Sequence, residues 1–516
     1  MKRILCLILS MTFIFVTSAC SSSEQASLIS SEAELSLSQS YETSETESSQ
    51  KPESVSESDS EEQSTESENG AAETSGSASE STSSVSASSA QSSSTQQHSE
   101  SSSSASSSAS PVIVVSSSSS QTAASSSSSS SSSTASSSSS SAQTGGQATY
   151  SGEIRAIWFS YIEMQSFLLG KTEAQFTSSF NTALDNAVSM GLNTIFVQVR
   201  SHSDAYYDSD IFPWSVNLTG TEGKAPGYDP LRIMVSAAHS RGMKIEAWIN
   251  PYRIKGTTDT AKIASSSPAY DWLGTDKVKI VQGAGIYYNP ADDEVIDLVV
   301  SGVKEIVRNY DVDGIHFDDY FYPTTDASFD SSSYSAYKNG GGSLSLADWR
   351  RDNVNRLIAK TYSAIKAIDS SCSFGISPTG NMDNNFSILY CDVYAWLRSD
   401  KYLDYICPQV YFGFDNAYSS YTAVLDQYNS MISNSNIKLL VGLAAYKVGK
   451  KDSASAGGGI NEWVNNNDVL ARQVEAARKK SHYEGFALYR YDSVFRPESA
   501  VSAAAAKERA NLEDIL

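Results

Sequence analysis

Beyond about residue 149, short apolar runs alternate along the chain with longer amphipathic segments. The short runs place branched or aromatic side chains at every second position, a period typical of strands. The predicted strands are Arg155–Phe159, Thr194–Arg200, Lys244–Asn250, Gly314–Asp318, Ser373–Ser377, Tyr405–Tyr411, Leu439–Leu443 and Gly485–Tyr491. Apolar spacings of three and four predict helices at Glu173–Met190, Pro230–Arg241, Asp292–Tyr310, Leu346–Ile368, Tyr418–Ile432, Trp463–His482 and Glu498–Leu516, with a weaker pattern over Ser387–Arg398.

Such a succession of β-α units favours an α/β fold, a (β/α)8 TIM-type barrel, over an open doubly wound sheet. No glycine-rich phosphate loop follows the first predicted strand, which removes the main signal of a dinucleotide-binding fold. Side chains of barrel strands alternate between the helix layer and the interior. Apolar residues at alternate positions must face the helices, so four strands end with an inward polar residue: Arg200, Asn250, Asp318 and Gln409. The carboxyl ends of the strands meet at one mouth, where we expect a site.

The first 20 residues resemble a bacterial export signal. Lys2-Arg3 precede an apolar run at Ile4–Val16, and Thr17-Ser18-Ala19 precede Cys20. Small residues before a cysteine resemble a lipobox, in which Cys20 becomes the lipidated first residue of the mature protein, although such sites usually carry Leu where Thr17 stands. The alternative is ordinary cleavage with Cys20 merely nearby. The lipobox interpretation predicts export and anchoring at the outer face of the cell membrane.

Residues 21–148 are dominated by serine, with 16 acidic residues against the single Lys51. This composition buries too little apolar surface to offset the entropy of ordering the segment, and we expect a disordered tether. Its root-mean-square reach is on the order of 60 Å. The tether carries most of the net charge of −22, so the domain at 149–516 is only mildly acidic. Without a basic tract it is a poor partner for nucleic acid.

Several motifs of the predicted strands and the loops after them occur together in one known family. They are Phe196-Val197-Gln198-Val199-Arg200, Asp204-Ala205-Tyr206-Tyr207, Gly227-Tyr228-Asp229-Pro230-Leu231, Ala247-Trp248-Ile249-Asn250-Pro251-Tyr252-Arg253 and Asp313-Gly314-Ile315-His316-Phe317-Asp318-Asp319-Tyr320. In this order they resemble the family 10-like glycosyl hydrolase domain of bacterial surface lipoproteins, over about residues 153–495. The resemblance implies a TIM-type barrel that acts on glycans, and relatives of best-understood activity hydrolyse cell-wall strands.

The motif ending in Asp318 is similar to the fourth strand of α-amylase-like enzymes, where the last Asp is the nucleophile. It departs from the chitinase pattern because His316 replaces an Asp and Tyr320 stands where the catalytic Glu belongs. A glycosidase generally needs two carboxyl groups, one as acid and one as nucleophile or base. Asp318 is the candidate nucleophile or base. The candidates for its partner, in order of preference, are Asp319, Glu163, Glu246 and Asp204.

Candidate substrate-binding residues surround this carboxyl. They are Arg200, Asp204, Asn250, Tyr252, Gln409 and Tyr411, with further aromatic faces at Trp214, Trp248, Tyr320, Tyr322, Tyr446 and Tyr491. Each has a structural alternative: Arg200 could form an ion pair with Asp318, and buried amides also cap strand ends. His316 is more typical of a hydrogen-bonded core histidine than of a catalyst.

We expect no metal and no cofactor, because the spacing of a calcium loop or of a zinc site is missing. The cysteines of the domain, Cys372, Cys391 and Cys407, allow one disulfide but are more typical of buried thiols. Two functions remain open: a surface-tethered glycoside hydrolase acting on a polysaccharide, chiefly cell-wall glycan, or a non-catalytic glycan-binding lipoprotein. A second carboxyl within reach of Asp318 would favour the enzyme. No obligate protein partner is evident.

Overall fold

A computed structural model describes residues 152–516 of the chain. The predicted signal sequence, the lipidation site Cys20 and the tether at 21–148 lie outside the described residues and stay predictions. Among the described residues, no helix is both long enough and apolar enough to cross a membrane.

Eight parallel strands close into a barrel, which confirms the predicted fold. They are β1 (Ile154–Phe159), β2 (Thr194–Arg200), β3 (Lys244–Ile249), β7 (Gly314–Phe317), β8 (Ser373–Ile376), β9 (Tyr405–Ile406), β10 (Lys438–Leu443) and β11 (Tyr483–Leu488). Their order around the barrel is β1-β11-β10-β9-β8-β7-β3-β2. Each of the eight strands falls on a predicted apolar run.

Helices cover the outside of the barrel. They are α1 (Tyr161–Leu168), α2 (Glu173–Ser189), α3 (Val216–Thr219), α4 (Pro230–His239), α5 (Pro268–Asp271), α6 (Asp293–Asn309), α7 (Ser331–Asn339), α8 (Leu346–Ile368), α9 (Met382–Ser387), α10 (Val393–Trp396), α11 (Tyr421–Met431), α12 (Glu462–Asn465), α13 (Val469–Ala477), α14 (Tyr491–Phe495) and α15 (Ser502–Glu513). Short 3-10 segments lie at Thr260–Lys262 and Ala445–Lys447, and a longer one, kinked at Gly457, lies at Ala454–Asn461.

The long helix predicted at Trp463–His482 is wrong in one respect, because the structure divides it into α12 and α13. Asn466 follows α12, and its side-chain amide donates to the carbonyl of Glu462 at 2.9 Å. Asparagine side chains compete in this way with the helical pattern of the backbone, which favours helix ends.

A small antiparallel sheet follows β3 and was not predicted. It contains β4 (Arg253–Lys255), β5 (Val278–Val281) and β6 (Gly285–Tyr288), in the order β4-β6-β5. Gly285 has a φ of +121°, and a Cβ there would lie 2.1 Å from the carbonyl oxygen of Lys255. Glycine is therefore required where β6 crosses close to β4. The sheet stands beside the mouth of the barrel, since it grows from the carboxyl end of β3.

The apolar core has two parts, which confirms the alternation predicted for the strands. Ile195, Val197 and Ile315 belong to the large cluster between the strands and the helices. A smaller cluster fills the barrel itself and contains Ala156, Trp158, Phe196, Trp248, Tyr405, Cys407, Leu440 and Ala487. Cys372, Cys391 and Cys407 are buried free thiols.

Candidate active site

Asp318 immediately follows β7 and points into the mouth of the barrel, as the alternation of that strand predicts. Its side chain receives two N–H donors: the indole of Trp248 at 2.9 Å on Oδ2 and the backbone of Tyr320 at 3.2 Å on Oδ1. The residue is 3% exposed. Burial, together with the charge of Asp319, raises the pKa of the Asp318 carboxyl to about 7. Asp318 therefore titrates near neutral pH.

Asp319 places a second, half-buried carboxyl next to the first in the chain, and a different side chain holds it. Burial raises the pKa of Asp319 to about 6, and a hydrogen bond from the side chain of Gln409 opposes that rise. The amide of Gln409 also donates to the carbonyl of Ser377 at 3.0 Å, which holds the side chain in place. Trp248 on β3 and Gln409 beyond β9 lie on opposite sides of β7 in the barrel order. The two carboxyls therefore take side-chain hydrogen bonds from opposite sides of β7.

Arg253 is a cation whose charge opposes the rise in the pKa of both carboxyls. It was not among the residues singled out from the sequence. It opens β4, is 4% exposed, and donates from Nε to the carbonyl of Ser201 at 3.3 Å. Its guanidinium carbon lies 5.5 Å from the ring centre of Tyr161 and 5.1 Å from that of Tyr320. Its place in the motif with Asn250 was the signal that could have revealed it.

The expectation that Arg200 points into the mouth is wrong, so Arg200 forms neither the alternative ion pair with Asp318 nor a contact with substrate there. A β-bulge between Gln198 and Arg200 shifts the register, so that Arg200 lies opposite Ile249, which faces the helix layer. The guanidinium packs 4.3 Å from the ring centre of Phe212. A Cβ on Gly302 of α6 would lie 2.3 Å from Nη1 of Arg200. The extra residue of the bulge turns this side chain outward.

Glu163, a candidate for the second carboxyl, is committed to other partners. It is the third residue of α1 and forms a capping box with Ser160, whose backbone N–H donates to Glu163 at 3.0 Å. Arg490, beyond β11, pairs with its other oxygen at 2.6 Å. Burial raises the pKa of Glu163, and Arg490 opposes the rise. These contacts tie the two ends of the barrel sheet together at the β1–β11 closure.

Glu246, the other inward candidate, lies one layer below the mouth. The Tyr405 hydroxyl donates to its carboxyl at 2.5 Å, and the His316 ring lies 2.7 Å from the same hydroxyl. On its other nitrogen, His316 accepts from the indole of Trp158 at 3.3 Å. Burial raises the pKa of Glu246 to about 8 and lowers the pKa of His316 to about 3. His316 is thus a neutral, hydrogen-bonded core histidine, as expected.

Three further candidates are buried around the mouth. The Oδ1 atom of Asn250 accepts from the backbone N–H groups of Tyr252 and Arg253, at 3.2 and 3.0 Å. This amide therefore caps the end of β3. The Tyr252 ring is fully buried and packs edge-on against Phe321, so it presents no face to a substrate. Asp204 is 2% exposed, and burial raises its pKa while Lys255 opposes the rise.

A group of half-buried tyrosines lines the mouth on the side of β9, β10 and β11. The Tyr411 ring lies 5.7 Å from Tyr446, edge-on, and 5.7 Å from Tyr489, stacked. Tyr489 in turn contacts Trp158 in the barrel interior at 5.9 Å. Sequence reasoning named Tyr491 in its place, but that ring is 2% exposed and stacks on Phe159 in the helix-side core. Tyr489 directly follows β11, whereas Tyr491 lies two residues further along the chain, at the start of α14.

Within residues 152–516, no group of three His, Cys, Asp or Glu side chains is arranged so that it could hold a metal ion. The chemistry of this mouth is that of two carboxyls, one guanidinium, amides and aromatic rings.

A family model described as glycosyl hydrolase-like 10 matches residues 153–456, a stretch that contains every mouth residue above except Tyr489. The chain belongs to this family. The glycosyl hydrolase YngK of Bacillus subtilis is 34% identical over 322 residues, which cover 57% of this chain and 61% of that protein. The present chain therefore spans less than two thirds of that relative.

A second relative of this glycosyl hydrolase-like 10 chain is the glycosyl hydrolase DigH of Escherichia coli K12. It is 34% identical over 344 residues, which cover 61% of this chain and 76% of that protein. Among solved structures, the glycoside hydrolase domain of PgaB (BpsB) from Bordetella bronchiseptica matches at 12% identity with a TM-score of 0.46, covering 70% of this chain and 98% of that domain.

Proposed function

We propose that this protein hydrolyses the glycosidic bonds of a polysaccharide, with Asp318 and Asp319 as the two carboxyl groups of the reaction. The observation that carries the proposal is their placement: two adjacent carboxyls, Asp318 buried and Asp319 half-buried, lie at the mouth of a barrel whose family is glycosyl hydrolase-like. Burial raises the pKa of Asp318 to about 7 and that of Asp319 to about 6. Between these pH values the pair carries about one proton, as acid-base catalysis requires.

In the proposed reaction the protonated carboxyl donates its proton to the glycosidic oxygen as the bond to the anomeric carbon breaks. The ionised carboxyl either attacks that carbon or takes a proton from the water that attacks it. We assign the ionised role to Asp318, because two N–H groups, from Trp248 and Tyr320, donate to its oxygens and such donors stabilise a carboxylate. Asp319 is then the acid. In the free protein the higher pKa of Asp318 leaves the proton of the pair on Asp318, so the assignment requires that this proton pass to Asp319 before the glycosidic oxygen is protonated.

The proposed substrate is the glycan strand of the cell wall. The motif resemblance supports this choice, and so does the row formed by Tyr411, Tyr446 and Tyr489, because sugar rings stack on aromatic faces. Lipid at Cys20 and the serine-rich tether would hold the barrel at the outer face of the cell membrane, within reach of that polymer.

The decisive experiment incubates the purified protein with peptidoglycan, with and without its stem peptides, and measures released sugar fragments. We expect fragments from the wild-type protein and none from Asp318→Asn. Glu246→Gln is the matched control, because it replaces a buried barrel carboxyl that lies outside the mouth and keeps its proton at neutral pH. Glycan binding without fragments would instead support the non-catalytic glycan-binding lipoprotein.

The proposed anchor has its own test. Cys20→Ala should move the protein from the membrane fraction to the soluble fraction of cells while leaving its activity in solution unchanged. Membrane association of the variant that persists in high salt and mild urea would contradict the lipid anchor.

A further inference from the structure

The carboxyl pair has a fixed cation beside it. Arg253 follows the cap that Asn250 forms at the end of β3, and its backbone N–H donates to that cap at 3.0 Å. Its Nε donates to the carbonyl of Ser201, beyond β2, at 3.3 Å. The backbone of Arg253 is thus tied to the end of β3 and its side chain to the end of β2, which leaves its guanidinium few positions to adopt.

Two aromatic rings fix the guanidinium further. The guanidinium carbon lies 5.5 Å from the ring centre of Tyr161 and 5.1 Å from that of Tyr320. The same Tyr320 donates its backbone N–H to Asp318 and directly follows Asp319. A cation held by cation–π contacts stays charged while it is removed from water. Its field at the two carboxyls is therefore less screened than that of a surface arginine.

The charges that face the pair are few. Burial raises the pKa of Asp318 and of Asp319, and Arg253 acts against that rise in both. The other titratable groups that interact with the pair are neutral at working pH, since burial raises the pKa of each: Tyr287, Cys391, Tyr411 and Tyr428. Around Arg253 itself lie Asp204 and His202, and burial lowers the pKa of His202, which leaves it neutral.

We propose that Arg253 is the positioning residue of the carboxyl pair: its guanidinium holds one of the two carboxyls in the ionised form while the other keeps its proton. This inference rests on the function proposed above. Arg253 acts through Asp318 and Asp319 and does not itself exchange a proton with the substrate. Without the cation, burial would leave both carboxyls protonated over more of the working pH range.

Arg253→Met tests this role, with Arg253→Lys as the conservative variant. The readout is the pH profile of kcat/KM for any glycan whose hydrolysis depends on Asp318. We expect the acidic limb to move upward by about one pH unit or more in Arg253→Met, and by less in Arg253→Lys. The matched control is Lys255→Met, which removes the same charge from β4, because Lys255 pairs with Glu222 at 2.7 Å instead. Its profile should not move.

A second readout needs no activity. Aspartate labelled with 13C at the carboxyl can be titrated by NMR in the wild-type protein, with Asp318→Asn to assign the signal. The Asp318 midpoint should rise by about one pH unit or more in Arg253→Met and stay in place in Lys255→Met. If the wild-type protein cleaves no glycan, the proposed function fails while this titration still decides the role of Arg253.

An equal loss of activity at every pH, with an unchanged Asp318 midpoint, would overturn the inference and make Arg253 a purely structural residue. If Arg253→Met proves unfolded by thermal melting, the titration of Arg253→Lys and Arg253→Gln decides instead. The neutral glutamine must then show the larger shift of the two.

Discussion

Asp318 and Glu246 are both carboxyls that face the inside of the same barrel, and burial raises the pKa of both, to about 7 and about 8. Their surroundings differ. Asp318 lies past the end of β7 beside a second carboxyl and a fixed cation, under two N–H donors. Glu246 lies low in β3 and bonds to Tyr405, in a chain that continues through His316 to Trp158.

Because burial raises the pKa of both carboxyls, a raised pKa does not by itself identify a catalytic group. Both carboxyls lose hydration, but Asp318 lies at the mouth beside Asp319, where a carboxyl can exchange a proton with a substrate. Glu246 lies in the barrel interior, where its neighbours complete a hydrogen-bonded layer of the core.

The largest effect is expected for Asp318→Asn. The substitution is nearly isosteric and keeps an acceptor for Trp248, but removes both the nucleophile and the base. Turnover should fall by at least about 10² to 10⁴, with glycan affinity within a few fold, as measured by reducing-end release and by equilibrium binding. Retained turnover, or an unfolded variant, would make Asp318 structural and place it in the same class as Glu246.

Asp319→Asn should lower turnover of the natural glycan by about 10² to 10⁴ as well, since the leaving oxygen loses its acid. The loss should be much smaller on an aryl glycoside of the same sugar, because a good leaving group needs no protonation. Initial rates on both substrates check this. Equal losses on the two substrates would show that Asp319 is not the acid.

Asp318 differs from a structural carboxyl only if Arg200 lies outside the barrel and does not form an ion pair with it. Gly302→Ala tests the position of Arg200. An alanine in an open helix position stabilises relative to glycine by up to about 1 kcal/mol. Here the new Cβ would meet Arg200 at 2.3 Å and Phe212 at 2.6 Å, so we expect a loss of about 1 to 3 kcal/mol in the free energy of unfolding. Urea denaturation measures it. Gly458→Ala is the control, because a Cβ there meets nothing within 4 Å; a stabilised Gly302→Ala would contradict the outward position of Arg200.

The smallest effect concerns Glu246 and pH. Its folded-state pKa of about 8 exceeds the usual 4.5, so the folded protein binds a proton that the unfolded chain has released. Stability contributed by this proton is therefore lost as the pH rises from about 4.5 to about 8, by on the order of 1 kcal/mol per unit. Glu246→Gln should flatten that slope in urea titrations between pH 5 and 8 and keep turnover within a few fold. An unchanged slope would place Glu246 in contact with solvent.

The β-α alternation, the eight barrel strands and the inward position of Asp318 could be read from the chain. These features depend on local periodicity, because a period of two assigns each strand residue to the interior or to the helix layer. Ile315 and Phe317 of β7 face the helix layer, so the side chain of Asp318 must point into the barrel mouth. Asp319 could be named because it is the next residue. The small sheet β4-β6-β5 escaped notice because its strands are three or four residues long and pair across a long loop.

Tertiary structure alone decided which groups meet. The bulge that turns Arg200 outward leaves no periodic signal, since one extra residue reverses the faces without changing composition. Glu163 pairs with Arg490, which lies 327 residues further along the chain. At the end of β11, Tyr489 rather than Tyr491 lies at the mouth. Arg253 is held near the carboxyl pair because closure of the barrel brings the rings of Tyr161 and Tyr320 against its guanidinium. A sequence pattern determines the face on which a side chain lies; the partner on that face depends on how the strands close, and closure is a property of the whole barrel.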